Sequence, residues 1–182
     1  MFNSPGYNLK FIQKTAIKDG SSHLYKHIYK FKSEKTRLIY IVHADEHEHD
    51  FFAVKFYAKK DRKSDYKYSK IINKGDVVNI LVTCIKVIPI LLASNPLASF
   101  GFVGSRSLDE MSDKVESFSR TQRYRIYVRL VSTRIRHVTF THFDYEAVSG
   151  YMLINNKHSN IDEVEAKLKR MLAETYSNIT NI

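Results

Sequence analysis

Three alternating segments between residues 23 and 59 constrain the fold more than any other feature of this chain. Residues 23–32 alternate aromatic and histidine side chains with lysines, and residues 37–44 and 51–59 are rich in β-branched and aromatic residues. A period of two places alternate side chains on opposite faces of a strand. The connectors are short and polar, so the segments are predicted to be neighbouring antiparallel strands, because a parallel pair needs a long crossover.

The remaining helices and strands are predicted from apolar periodicity and turn residues. Helices are expected at residues 77–94, from Ser119 onward and after Asn160, and strands at residues 97–104, 138–143 and 151–154. Residues 1–21 are compatible with either an N-terminal arm or an edge strand. The order β-β-β-α-β-α-β-β-α predicts a single α+β domain over residues 22–182, with a mixed, mostly antiparallel sheet flanked by helices.

Each predicted helix begins at a residue that can cap it. Asp76 precedes the first helix, and Ser119 and Asn160 each stand three residues before a Gln or Glu, which is the spacing of a capping box. The first helix is apolar nearly all round, apart from a narrow polar stripe, and should therefore be buried. Pro89 is expected to kink it.

Charge and cysteine content narrow the class of protein. Among the 182 residues, 29 Lys and Arg stand against 19 Asp and Glu, which gives a net charge of +10. This excess favours an anionic partner such as nucleic acid, although solvated lysines give the same composition. The single cysteine, Cys84, fits a reducing compartment. With no signal-peptide pattern at the start and no convincing membrane span, the sequence predicts a cytoplasmic protein that does not bind a membrane.

An arginine-rich helix is the first candidate anion site. Its basic side chains are Arg120, Arg123, Arg125, Arg129, Arg134 and Arg136. Guanidinium groups bind phosphate in a bidentate manner, and the first turn of a helix offers unpaired N–H groups to an anion. The alternative is that these arginines pair with the acidic residues of the preceding loop, at positions 109, 110, 113 and 116.

A lysine-rich loop is the second candidate. Residues 55–74 carry eight basic side chains, with Tyr57, Tyr66 and Tyr68 between them. Cations with stackable aromatic rings suit single-stranded nucleic acid, and a solvated loop has the same composition. The leading hypothesis is a small basic protein that recognises nucleic acid through the arginine-rich helix and this loop. The sequence is compatible with a homo-oligomer.

Motifs for other chemistries are weak or missing. The histidine-rich and acidic segment 43–50 contains metal-ligand residue types, but its spacing matches no zinc signature and an ordinary polar turn is expected. No metal and no cofactor are predicted from it. The chain also lacks a Gly-x-Ser-x-Gly elbow, a Walker A loop and a dinucleotide-binding glycine motif.

The order of elements over residues 23–156, together with the segment Arg125-Ile126-Tyr127-Val128-Arg129-Leu130, resembles the GCN5-related N-acetyltransferase family. The resemblance implies an acyl-CoA-dependent N-acyltransferase that uses acetyl-CoA, with Tyr127 as the acid that protonates the departing thiolate. It also implies that the coenzyme A phosphates bind near the stretch that contains Lys70, Asn73, Lys74 and Gly75. That stretch has one glycine and lacks the family's Gln/Arg-x-x-Gly-x-Gly/Ala motif.

One structural observation would separate these alternatives. If parallel strands diverge beside residues 70–76, the acyl-CoA interpretation is favoured, whereas a continuous sheet there would favour a basic binding surface. A third class, a protein-interaction module, would use the aromatic face of residues 23–32, which includes Tyr25, Tyr29 and Phe31.

Overall fold

A computed structural model describes residues 4–70, 75–104, 108–109 and 114–176 of the chain. Seven strands form one sheet: β1 (Lys10–Ala16), β2 (His23–Lys32), β3 (Ile39–His47), β4 (Phe51–Ala58), β5 (Ser99–Val103), β8 (Phe140–Tyr145) and β9 (Gly150–Asn155). Their order across the sheet is β1-β2-β3-β4-β5-β9-β8. Two short strands, β6 (Leu108–Asp109) and β7 (Lys114–Val115), pair antiparallel in a separate two-stranded sheet.

Four α-helices accompany the sheet: α1 (Val77–Ile85), α2 (Val87–Ser94), α3 (Gln122–Arg134) and α4 (Ile161–Thr175). Single turns of 3-10 helix cover Lys59–Asp61 and Glu146–Val148. The strands pair antiparallel except β4 and β5, which are parallel. The predicted α+β class with a mixed, mostly antiparallel sheet is therefore confirmed.

Each face of the sheet has its own apolar core. Helices α1, α2 and α3 cover one face, where the larger core contains aromatic residues from six of the described strands, such as Tyr29, Phe52 and Phe100. Helix α4 covers the other face through Leu168 and Met171. The two faces are called the three-helix face and the α4 face below. The aromatic face proposed for protein interactions turns toward the larger core, because Tyr29 and Phe31 are buried there.

The predicted helix 77–94 is two helices that meet at Lys86. A proline inside a continuous helix would remove the bond to the carbonyl four residues earlier and would clash with it. The break three residues before Pro89 places the proline in the first turn of α2, where an amide N–H has no intrahelical partner. The helix is therefore interrupted at Lys86, about one turn before Pro89, where the kink was expected.

Residues 77–94 together are long and apolar enough to span a membrane, with a mean hydropathy of 2.2 over 18 residues, and half of this run is buried inside the fold. Its polar stripe contacts the N-terminal arm. The Tyr7 amide donates to the Thr83 hydroxyl at 2.7 Å, and the Lys86 ammonium donates to the Tyr7 carbonyl at 2.6 Å. The arm thus satisfies the polar groups of an otherwise apolar helix, and the chain then continues into β1 as an edge strand.

The helix caps agree in part with the predicted ones. Asn160 accepts a hydrogen bond from the Glu163 amide, as expected for a capping box. Helix α3 begins at Thr121, whose hydroxyl accepts from the Tyr124 amide and donates to the Gly104 carbonyl, so the predicted cap at Ser119 is wrong. Gly104 lies too close to Tyr124 for a side chain, and this contact fixes the start of α3 against the end of β5.

Candidate functional site at the separation of strands β4 and β5

The parallel strands β4 and β5 remain paired over only part of their length. Residues 51–54 of β4 pair with residues 99–102 of β5. Residues 55–58 continue β4 and keep pairing with β3, while β5 ends at Val103, opposite β9. Among the described residues, the outer half of β4 has no strand partner on its β5 side. We call this region, where the pairing of the two strands ends, the β4–β5 separation.

Helix α3 places two side chains in the β4–β5 separation. Arg123 and Tyr127 are one turn apart and therefore share one face of the helix. The Tyr127 ring lies 5.3 Å from the ring of Phe102, the last residue of β5 that pairs with β4. The Arg123 guanidinium lies 5.4 Å from the ring of Phe56, in the unpaired half of β4. Tyr127 thus marks the inner end of the separation, and Arg123 lies nearer its open end.

Arg123 holds the loop that follows β4. Its two terminal nitrogens donate hydrogen bonds to the backbone carbonyls of Tyr68 and Lys70. The side chain is partly buried, and this burial lowers the pKa of its guanidinium, against an opposing influence of the Tyr127 and Glu116 side chains. The predicted anion ligand Arg123 therefore bonds to neutral oxygen atoms of the protein itself.

Tyr127 is almost inaccessible, with 3 % of its surface exposed. Burial raises the pKa of its phenol well above the usual value, nearby Cys84 raises it further, and the Arg123 charge acts in the opposite direction. Burial also raises the pKa of the Cys84 thiol. Both groups are therefore protonated at neutral pH, and the raised pKa makes Cys84 a poor nucleophile and Tyr127 a weaker acid than an exposed tyrosine.

The other arginines in and just before α3 lie on the surface, away from the β4–β5 separation. Arg120 pairs with Glu146 at 3.4 Å on the surface, whereas Arg125 and Arg129 are exposed on the outer side of the helix. The carboxylate of Glu116 accepts a hydrogen bond from the Gln122 amide in the first turn. An acidic side chain of the protein thus occupies the helix start that was predicted to attract a ligand anion.

The candidate phosphate-binding stretch is only partly described. The Lys70 ammonium lies 3.6 Å from the Asp61 carboxylate, and the Gly75 carbonyl accepts a hydrogen bond from the Lys35 ammonium at 2.9 Å. Gly75 has a φ of 77°, a backbone conformation that favours glycine. The other two predicted residues of this stretch, Asn73 and Lys74, lie outside the described residues.

The lysine-rich loop packs against the sheet through its tyrosines. The Lys67 ammonium lies 5.1 Å from the centre of the Tyr57 ring and 5.3 Å from that of Tyr68. The Tyr68 hydroxyl and His43 Nδ1 are hydrogen-bonded at 3.2 Å. Since these two rings contact other parts of the protein, Tyr66, which is 63 % exposed, is the loop tyrosine most accessible for stacking.

A buried ionic cluster on the α4 face is a feature that the sequence analysis missed. Strand β3 extends to His47, so that His43, Asp45 and His47 alternate onto one face rather than forming a turn. Asp45 is fully buried and its carboxylate contacts the Lys55 ammonium. The alternation of His43, Asp45 and His47 could have indicated a strand. It was interpreted as a turn because polar residues are not expected on the buried face of a strand.

The cluster is closed by hydrogen bonds from the loop and from the end of α4. His47 Nε2 and the Tyr176 hydroxyl are hydrogen-bonded at 2.9 Å, and the rings of Tyr68 and Tyr176 flank the Lys55 ammonium at 5.3 and 5.8 Å. Within the described residues, no group of three or more His, Cys, Asp or Glu side chains is arranged to hold a metal ion.

Comparison of the chain with protein-family models, with curated proteins and with solved structures gives no match. The functional interpretation therefore depends on the geometry of the site and on the chemistry of its side chains.

Proposed function

We propose that this protein is an acyl-CoA-dependent N-acyltransferase whose acyl donor binds in the β4–β5 separation. The observation that carries the proposal is that the one parallel strand pair of the described sheet stays paired only over residues 51–54 and 99–102, while β4 continues to Ala58. A gap between strands exposes backbone N–H and C=O groups, which an extended, amide-containing ligand can bind as a further strand does. Pantetheine is a chain of this kind.

The end of the separation near Tyr127 suits the reacting group. When bound, the thioester supplies the acyl group that an amine accepts. The Tyr127 phenol is protonated at neutral pH, and the Arg123 charge one turn away opposes the rise in its pKa that burial causes. General acid catalysis requires a group that retains its proton until the leaving atom takes it. Tyr127 therefore acts as the acid toward the departing sulfur.

The open end of the separation suits the phosphates. Arg123 bonds to Lys70 at this end, and the chain after Lys70 goes on to Gly75 and the start of α1, where the amide groups of the first turn favour an anion. The carboxylate of Asp76 at this position is buried and accepts hydrogen bonds from Tyr7, Ser33 and Asn79, so its oxygen atoms are turned to neutral donors of the protein, while its negative charge remains beside the helix start. The net charge of +10 adds a long-range attraction for a polyanionic ligand.

Acetyl-CoA is expected to stabilise the protein against heat by mass action. At a concentration one hundred times its Kd, a ligand adds about 2.7 kcal/mol, and for a chain of this length this raises the melting temperature by roughly 5 °C or more. Differential scanning fluorimetry with acetyl-CoA, and with adenosine as a ligand that lacks pantetheine and phosphates, measures the effect. An unchanged melting temperature at millimolar acetyl-CoA would contradict the proposal.

Replacement of Tyr127 by phenylalanine separates binding from catalysis. The Tyr127→Phe variant keeps the ring that packs against Phe102, so the shift produced by acetyl-CoA should persist. Loss of a general acid typically lowers the rate by about 10²–10⁴-fold. Release of free thiol from acetyl-CoA with a panel of amines is the measurement, and Tyr124→Phe, one turn away on α3, is the matched control.

Nucleic acid binding stays a second candidate, favoured by the exposure of Arg125 and Arg129 one turn apart on the outer side of α3. If they contact phosphates, the double variant Arg125→Ala/Arg129→Ala should bind a 20-nucleotide RNA or DNA less tightly. Each lost contact should reduce the slope of log K against log salt by about 1. Fluorescence anisotropy measures the slope, and Arg120→Ala, whose arginine pairs with Glu146, is the control. Unchanged or absent binding argues against this candidate.

A further inference from the structure

Arg123 is a cation whose described hydrogen-bond acceptors are two backbone carbonyls. The guanidinium is partly buried beside the ring of Phe56. The bonds from a guanidinium to a carbonyl are charge-assisted on one side only, whereas a phosphate oxygen accepts in a bidentate geometry and adds the attraction between opposite charges. An oxyanion that reaches this position would therefore bind the guanidinium more strongly than the carbonyls of Tyr68 and Lys70 do.

The position of Arg123 indicates which part of a ligand it would meet. Tyr127 lies where the pairing of β4 and β5 ends, and Arg123 lies one helical turn nearer the open end, between the unpaired half of β4 and residues 68–70. If the acyl group binds at Tyr127, the remainder of the donor extends past Arg123 toward the start of α1. The anionic groups on that side of an acyl-CoA are its phosphates.

We propose that Arg123 changes partners on ligand binding, releasing the carbonyls of Tyr68 and Lys70 to bind a phosphate oxygen of the acyl donor. The inference rests on the proposed function and adds to it a residue that determines specificity for the phosphate arm. The exchange of partners would also couple ligand binding to the conformation of residues 68–70, because the Arg123 guanidinium bonds α3 to the carbonyls of Tyr68 and Lys70. The phosphate thus gains a charged partner and the loop loses one.

Wild-type protein tests the exchange of partners directly. Residues 66–70 form turns whose amides are bonded locally, as Ser69 N–H is to the Tyr66 carbonyl at 2.8 Å. Hydrogen–deuterium exchange with mass spectrometry should show faster exchange in peptides that cover residues 66–70 when coenzyme A is bound. Unchanged or slower exchange there, with coenzyme A bound, would overturn the proposal.

Arg123 variants test the specificity. Arg123→Gln should weaken coenzyme A binding by roughly tenfold or more, the factor that corresponds to about 1.4 kcal/mol, while leaving the affinity for pantetheine, which has no phosphate, unchanged. Arg123→Lys keeps the positive charge, so its affinity for coenzyme A should fall less than that of Arg123→Gln. Arg134→Gln is a matched control, since Arg134 also lies on α3 and donates to a backbone carbonyl, that of Ser4. Isothermal titration calorimetry gives each affinity.

The outcomes separate this inference from the proposed function. If wild-type protein binds neither coenzyme A nor acetyl-CoA, both are wrong. If it binds coenzyme A and Arg123→Gln binds it equally well, the donor site stands and the role of Arg123 is wrong. If Arg123→Gln loses coenzyme A and pantetheine to the same extent, Arg123 only supports the fold, and the specificity proposal is overturned. Circular dichroism of each variant gives its folded fraction.

Discussion

Replacement of Asp45 by alanine is expected to lower the free energy of unfolding by about 3 kcal/mol. Removal of one member of a buried ion pair leaves the other charge uncompensated, which costs about 3–5 kcal/mol. The Asp45 side chain is fully buried, while that of Lys55 is 32 % exposed and can turn partly toward water. The lower end of the range therefore applies. Urea unfolding followed by circular dichroism measures the loss, since the chain contains no tryptophan.

A double variant identifies the source of this effect. If the uncompensated Lys55 ammonium causes the loss, Asp45→Ala/Lys55→Met should be more stable than Asp45→Ala alone, because methionine fills the space between Tyr68 and Tyr176 without a charge. Glu48→Ala, in the exposed turn after β3, should stay within about 0.5 kcal/mol of wild type. A double variant no more stable than the single one would show that the ion pair is not the cause.

The sequence predicted the sheet well where one face is apolar. Alternation in residues 23–32 and 51–59 identified β2 and β4, because their core-facing side chains are aromatic or aliphatic. It failed at the end of β3, since His43, Asp45 and His47 face a polar cluster beneath α4 and resemble a turn in the sequence. Burial of polar side chains depends on partners such as Lys55 and Tyr176, which are distant in the chain.

The sequence identified Tyr127 and Arg123 as candidate residues but did not predict how they are arranged in the structure. Helical periodicity placed Tyr127 on a core-facing stripe, and it is buried. The same periodicity did not predict that Arg123, four residues earlier, turns inward to the carbonyls of Tyr68 and Lys70. Residue type alone does not distinguish an arginine that binds a ligand from one that bonds to a neighbouring loop, because both need the same guanidinium geometry.

Acidification is expected to destabilise the protein between pH 6.5 and pH 4. Burial lowers the pKa of both His43 and His47 from 6.5 to about 4. The unfolded chain binds protons at these histidines below pH 6.5, whereas the folded protein does so only near pH 4. Stability is therefore greatest above pH 6.5 and falls by about 1.4 kcal/mol per pH unit for each proton, to a loss of at most about 3 kcal/mol for each histidine.

Urea unfolding at intervals from pH 7.5 to pH 4.5 measures this slope. The range ends at pH 4.5 because of Glu46. Burial raises the pKa of this carboxylate, but hydrogen bonds from His27 and Lys14 outweigh it and lower the pKa, so Glu46 adds its own acid dependence below that pH. His47→Gln can keep a hydrogen bond to Tyr176 but takes up no proton, so its slope should be clearly smaller than that of wild type, while His43 and His142, whose pKa burial also lowers, still contribute to both. His49→Asn, in the turn after β3, should retain the full slope. Equal slopes for His47→Gln and wild type would show that burial of His47 does not oppose its protonation, and the acid sensitivity would then have another origin.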